Sequence, residues 1–172
     1  MQNFFDILGL SPDFALDEKA LEKAYFGAQR KTHPDLAIGK PEAERVEAFL
    51  KSQLVNEAYE TLKNPLSRAE HMLALQNIFV NTEGQKNVAP VLLMEIMELR
   101  ERLEEAALSG VQLNTVLSEM KVIATESKQT IANAFTFKNY KAAADETARF
   151  AYLIKAIEEA HMLIYRLKAA HA

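Results

Sequence analysis

His33, Pro34 and Asp35 stand consecutively, and an imidazole two residues from a carboxylate is a pair that could pass a proton. General acid–base work also needs a group that orients the base and a pocket that keeps water away. The sequence offers neither, because the tripeptide falls between two amphipathic stretches, where a turn faces solvent. The remaining histidines, His71, His161 and His171, form no constellation with metal-ligand spacing. Cysteine is absent, which removes disulfides, thiolate nucleophiles and thiolate ligands for zinc or an iron–sulfur cluster. No Gly-rich phosphate loop is present. The chain is therefore expected not to be an enzyme and to need no cofactor and no metal. What remains for His33-Pro34-Asp35 is recognition, as a rigid polar turn carried between helices.

Two helices must position that turn. Asp17 is a candidate N-cap, with Glu18 in the first turn, where the helix dipole favours an acid. From there Leu21, Ala24, Tyr25, Ala28 and Thr32 share one face, which is the face to bury. Lys19, Lys23 and Arg30 share the opposite face, with Phe26 among them and Lys31 on the flank. Four cations against Glu18 and Glu22 give this helix a local charge of +2 inside a chain of net charge −4. Such a stripe is either a solvated face or a docking surface for an acidic partner. Pro34 lacks a backbone donor and drives His33 out of the helical region, so the helix ends at Thr32. Leu36 to Lys40 reads as a loop. A second helix runs from Pro41 to Leu62, with Ala48, Ser52, Val55, Tyr59 and Leu62 in line and Phe49 and Ala58 beside them. Leu50 and Leu54 lie off that line and point to a second buried edge. Before this hairpin, Phe4 to Leu10 is a short helix closed by Gly9. After it, Pro65 to Leu75 is another, with Leu66, Ala69, Met72 and Leu73 on one side.

Composition supports an all-α fold. Five glycines and five prolines in 172 residues are too few for a turn-rich β architecture. The acidic balance argues against nucleic acid as a partner. No apolar run approaches a membrane span, and Met1 to Leu10 lacks the pattern of a secretory signal. A cytoplasmic protein without a membrane partner is expected.

Gln76 to Ala89 is poor in apolar residues and contains Asn77, Asn81, Gly84 and Asn87, as a linker would. The chain is thus expected to divide into residues 1–76, a linker over 77–89, and a second domain over 90–172. Pro90 opens a helix to Ser109, stopped by Gly110. Leu92, Ile96, Leu99, Leu103 and Ala106 form its core stripe. Its opposite face gathers Met94, Met97, Glu98, Glu101, Glu105 and Leu108, with Leu93 at the edge. The choice is between a second core contact and a partner-binding face; interleaved glutamates make full burial costly, and adaptable methionines ringed by acids suit a partner. Further helices over Gln112–Phe135 and Lys141–Lys168 follow, joined by the turn Thr136–Asn139. Three helices with short loops form a bundle, with Leu113, Val116, Leu117, Met120, Ile123 and Ala124 inward on one and Phe150, Leu153, Ile157, Ala160, Ile164 and Leu167 on the other.

In order and spacing, the first half resembles a J-domain, the module of DnaJ-type co-chaperones. The resemblance rests on a short helix, a basic helix, His33-Pro34-Asp35 and a third helix ending in Asn56-Glu57-Ala58-Tyr59-Glu60-Thr61-Leu62. The next stretch, Asn64-Pro65-Leu66-Ser67-Arg68-Ala69-Glu70-His71-Met72-Leu73, is similar to that of HscB, the J-type co-chaperone of iron–sulfur cluster assembly. The chain lacks the Gly/Phe-rich tract and Cys-x-x-Cys repeats of general DnaJ-type chaperones. The likeness extends over essentially the whole chain and is weaker in the last two helices, apart from Ala142-Ala143-Ala144-Asp145.

The resemblance implies a J-domain followed by a three-helix scaffold-binding domain. It implies stimulation of the ATPase of an HscA/DnaK-type chaperone, through His33, Pro34 and Asp35 directly and through Lys19, Lys23, Arg30 and Lys31 less position by position. It implies binding of an IscU-type iron–sulfur scaffold protein through Leu93, Met94, Met97, Glu98, Glu101 and Glu105, with Tyr152 on the last helix. Thr32 departs from the family, where an aromatic residue commonly precedes the histidine. Two other uses stay open: a J-domain adaptor for a different client, and a helical interaction protein with no chaperone role.

Overall fold

A computed structural model of the chain describes residues 2–80, 90–109 and 113–170. Most of the expected linker, Gly110, and the side chains of Leu92, Leu93 and Leu108 lie outside the described residues. The chain divides into two compact units, Met1–Ile78 and Phe79–Ala172. Among the described residues every regular element is helical: α1 (Phe4–Leu8), α2 (Glu18–Thr32), α3 (Glu42–Lys63) and α4 (Pro65–Ala74) in the first unit; α5 (Pro90–Ser109), α6 (Leu113–Thr136) and α7 (Tyr140–Ala170) in the second. No described helix is long and apolar enough to cross a membrane.

In the first unit each helix starts and stops on local chemistry. Asn3, Asp17 and Asn64 accept backbone N–H bonds at the starts of α1, α2 and α4. Gly9, at φ +68°, closes α1 in the left-handed conformation that favours glycine. Phe5, Leu8, Leu21, Val55, Ala58 and Leu62 form the core, with Ala24, Tyr25, Ala28 and Tyr59 packed on its edge. This is the α2 face expected from periodicity. Polar contacts close the hairpin above that core. Tyr25 stacks on Tyr59 at 4.2 Å, and the Asn56 side-chain Oδ1 accepts from both Tyr25 Oη (3.1 Å) and Gln29 Nε2 (2.7 Å).

The first half of α3 departs from expectation. Phe49, assigned to the packed face, is 51% exposed, and Leu50, assigned to a second buried edge, is exposed as well; Leu54 is half-buried. The reason is the length of α3. Burial on α3 begins at Ser52, so the three turns before it extend past the core formed with α1 and α2.

Two buried polar residues on α4 fasten the unit. Arg68 donates from Nε to the Leu62 carbonyl (2.6 Å) and from Nη1 to the Phe14 carbonyl (2.6 Å). Its guanidinium thereby joins the C-terminal end of α3, where the helix dipole favours a cation, to the α1–α2 connection. Burial pulls its pKa down from the ordinary arginine value. His71 stacks on Phe4 at 4.4 Å, and its Nε2 accepts the Phe4 backbone N–H at 3.1 Å. Burial holds its pKa below the ordinary histidine value.

In the second unit Ile96, Leu99, Leu103 and Ala106 of α5 are buried with Val116, Leu117, Met120 and Ile131 of α6 and Phe150, Leu153 and Ile157 of α7. Ile123, expected inward, is half-buried. The α5–α7 ion pairs ascend together, Glu95 with Arg149 and Arg100 with Glu159, so α5 and α7 run parallel with α6 as the returning helix. With 31 residues, α7 is longer than α5 or α6. Consequently Ile164 and Leu167, expected inward, are only half-buried, and Met162 and Tyr165 are exposed.

Candidate functional site

The His-Pro-Asp turn is built by backbone chemistry. Thr32 ends α2 and turns its hydroxyl back to the Ala28 carbonyl at 3.1 Å. His33 leaves the helix at φ −59°, ψ 132°, as the residue before a proline must. The segment read as a loop contains a 3₁₀ turn, Pro34–Ala37, whose start is capped by the His33 side chain: Nδ1 accepts the Asp35 backbone N–H at 3.3 Å. The His33 carbonyl accepts from Leu36 N–H at 3.0 Å. Gly39, at φ +80°, then redirects the chain into α3. His33 and Asp35 are thus pinned by local hydrogen bonds while their side chains stay about half and three-quarters exposed. The imidazole lies 3.5 Å from the Asp35 carboxylate, but the open setting gives no enclosure for acid–base chemistry.

Lys19, Lys23, Arg30 and Lys31 are all exposed on α2, and among the described residues none is in an ion pair. The stripe is therefore uncommitted charge beside the turn. Next to it lies a feature absent from the sequence reading. Pro34, Ala37, Ile38, Arg45, Val46 and Phe49 line a groove of about 330 Å³. Ile38 is 77% exposed, and Leu36 and Leu50 add exposed apolar surface nearby. The available signal was Phe49 and Leu50, read as burial when both are exposed, beside Val46, which the spacing did not single out.

On α5 the outward face is present. Met94 is 69% and Met97 54% exposed, and Glu98, Glu101 and Glu105 are exposed with them. Leu93, assigned to the same face, cannot be placed there, since its side chain is outside the described residues. Tyr152 is half-buried on α7. It stands one turn after Arg149 and two turns before Glu159, two α7 residues whose ion pairs reach α5, so helical spacing puts it on the α5 flank. Farther along the same two helices a shallow groove of about 570 Å³ is lined by Arg100, Leu103, Lys155, Met162 and Arg166. Glu158 and His161 stand at Glu-x-x-His spacing on α7, which the sequence reading passed over. Both are exposed, and among the described residues no group of three or more His, Asp or Glu side chains could hold a metal ion.

Comparison with known proteins accounts for both units. Residues 3–71 match the DnaJ domain model, and residues 88–161 match the HSCB C-terminal oligomerisation domain model. The co-chaperone protein HscB of Proteus mirabilis is 33% identical over 168 residues, 96% of this chain and 97% of that protein. An iron–sulfur cluster co-chaperone protein HscB homolog of Arabidopsis thaliana is 36% identical over 91% of this chain and 62% of its own length. Among solved structures, chaperone HscB from Vibrio cholerae superposes with a TM-score of 0.84 at 29% identity, over 96% of this chain and 99% of that one. Human co-chaperone protein HscB gives 0.87 at 27% identity, over 94% and 82%.

Proposed function

The chain belongs to the HscB co-chaperone family, and on that premise we propose that it delivers an iron–sulfur cluster scaffold protein of the IscU type to an HscA/DnaK-type chaperone and stimulates that chaperone's ATPase. The observation that carries this reading is that each unit presents an exposed face which its own packing does not use. In the first unit it is the His-Pro-Asp turn with its unpaired basic stripe. In the second it is Met94 and Met97 among three glutamates.

The division of labour follows from the chemistry of each face. Lys19, Lys23, Arg30 and Lys31 steer the first unit onto an acidic surface of the chaperone, giving fast and salt-sensitive association. The pre-formed turn then places His33 and Asp35 without further ordering, and the groove beside Pro34 takes apolar surface of the same partner. Nothing in the turn hydrolyses ATP. The turn acts by binding one state of the chaperone better than another, which is how a protein ligand shifts a conformational equilibrium. In the second unit the methionine side chains adapt to an apolar patch on the scaffold, and Glu98, Glu101 and Glu105 set its orientation through complementary cations. Holding the scaffold on the same chain raises its local concentration at the chaperone.

The test is steady-state ATP turnover by the HscA-type chaperone, with this protein alone, with added scaffold, and with His33→Gln in each case. Stimulation that requires His33 and grows with scaffold supports both halves. Stimulation indifferent to scaffold leaves the first half and assigns the Met/Glu face to a different client. The description of the C-terminal family model favours a further use, contact between copies of this chain. Sedimentation with Met94→Ser and Met97→Ser separates the two: self-association that these variants abolish, without scaffold binding, would assign the face to a second copy.

A further inference from the structure

The Met/Glu face is built from two helices, Met94 and Met97 on α5 and Tyr152 on α7, so its shape depends on their register. One polar network fixes that register. Arg149 of α7 donates from Nε to Glu95 Oε2 at 3.0 Å and from Nη2 to Glu95 Oε1, a two-pronged bond to α5. Its Nη1 donates to Glu146 Oε1 at 3.1 Å. Glu146 in turn accepts from the hydroxyl of Ser127, a wholly buried residue of α6. The chain Ser127–Glu146–Arg149–Glu95 thus ties all three helices together and ends one residue from Met94. Its carboxylates and guanidinium are largely shielded from solvent. The Arg149 hydrogen bond holds the Glu95 carboxyl below the usual carboxylate range, and Glu95 raises the guanidinium above its own.

A second α5–α7 pair provides an internal contrast. Arg100 also makes a two-pronged bond, Nε to Glu159 Oε2 at 3.1 Å and Nη2 to Oε1 at 2.8 Å. Both residues are about half exposed, however, where water and salt screen the pair, and among the described residues neither is bonded to the third helix.

We infer that Arg149 is a positioning residue for partner binding: it touches no partner, and it holds the α5 and α7 parts of the binding face in register through Glu95. This rests on the scaffold-binding reading above. A planar fork bonded at two points fixes both distance and rotation between helices. The shielding of Arg149, with its further bond to Glu146, keeps water from replacing that fork, a protection the exposed Arg100 fork lacks. Arg149→Met keeps the length and the packing of the stem and removes the fork.

The kinetics of scaffold binding separate positioning from contact. If the face without its clamp is in register about a tenth of the time, the apparent Kd rises about tenfold. That loss falls on the association rate, because the complex, once formed, keeps its contacts. Deleting a contact raises the dissociation rate instead. The experiment measures both rates for the full chain with the apo scaffold protein, well below the unfolding midpoint. Salt near 1 M, where the Debye length is about 3 Å, removes charge steering.

The expected result is slower association for Arg149→Met with dissociation unchanged, faster dissociation for Met97→Ser, and wild-type rates for Arg100→Met. Arg149→Lys, which keeps one charged bond to Glu95, falls between Arg149→Met and wild type and serves alone if Arg149→Met does not fold. Wild-type association by Arg149→Met, or by Arg149→Lys where only that variant folds, overturns the inference while leaving Met97→Ser to report on the face. Wild-type rates for Met97→Ser overturn the scaffold reading itself, and the positioning role with it. Faster dissociation by Arg149→Met would make Arg149 a contact residue and also overturn the inference.

Discussion

On the proposed function the two units solve the same problem, presenting a rigid surface to a partner, in opposite ways. In the first, the presenting group is a turn. Its stiffness is local and comes from Pro34, the His33 cap on Asp35 N–H, and Gly39. The core lies away from it, and burial on α3 begins only at Ser52. In the second, the presenting group is the outer face of a helix whose inner face carries the core at Ile96, Leu99 and Leu103. There the surface inherits its rigidity from packing, and its geometry depends on register between helices. The difference teaches where each unit is vulnerable. A turn stiffened by its own hydrogen bonds tolerates loss of core stability until the unit unfolds. A face shared by two helices loses function when they slip, even while folded.

The comparison breaks most forcefully at Arg68. Arg68→Ala strands three backbone carbonyls and opens a buried site, at a cost of about 3–5 kcal/mol. Thermal unfolding followed by amide exchange should show helices α1–α4 losing protection while α5–α7 keep theirs. A single transition lost in common would join the two units into one cooperative block.

His33→Gln comes next and should do the opposite. It removes the side chain that the chaperone would read and leaves the core untouched, so stimulation of chaperone ATPase should fall more than tenfold, about 1.4 kcal/mol or more, with the unfolding midpoint unchanged. A fall in stability matching the fall in stimulation would show the turn to be part of the fold's support.

Met94→Ser together with Met97→Ser sharpens the contrast from the other side. Both side chains are largely exposed, so scaffold binding should weaken about tenfold while stimulation without scaffold stays at the wild-type level.

A smaller effect is expected from pH. His71 is neutral in the fold, with Nε2 accepting the Phe4 N–H, and burial lowers its pKa from its ordinary 6.5. The unfolded chain therefore binds this proton more readily than the folded one. The His71 contribution is complete above pH 6.5 and is lost as pH falls below it towards the lowered folded value. Denaturant midpoints measured from pH 7.5 down to about 5.5 should fall for the first unit and become less pH-dependent in His71→Phe. The smallest effect should come from the exposed pair Lys51–Glu47 on α3. Lys51→Ala should leave both the midpoint and the stimulation unchanged, because water and salt screen such pairs.

Much of both sites was legible in the chain because it is encoded locally. Pro34 dictates the end of α2 whatever surrounds it, and Asp17 and Asn64 cap their helices through their own side chains. The α2 and α5 faces were legible because an apolar stripe at helical spacing has one physical use when a core is near. Phe49 and Leu50 show the limit: the same spacing continues past the end of the core, and the pattern does not say where the core stops. Arg68 and His71 show another limit. Their types point to the surface, and only the carbonyls of Leu62 and Phe14 and the N–H of Phe4, between 6 and 67 residues away in sequence, make their burial favourable.

The sequence by itself therefore determined the helices, their caps, the His-Pro-Asp turn and the outward Met/Glu stripe, since each depends on residues within a few positions of one another. The tertiary structure alone decided which apolar residues have a core to enter, which polar ones are buried as fasteners, and which salt bridges join α5 to α7. Those outcomes depend on distance and solvent exclusion between segments remote in the chain, and spacing along the chain carries neither.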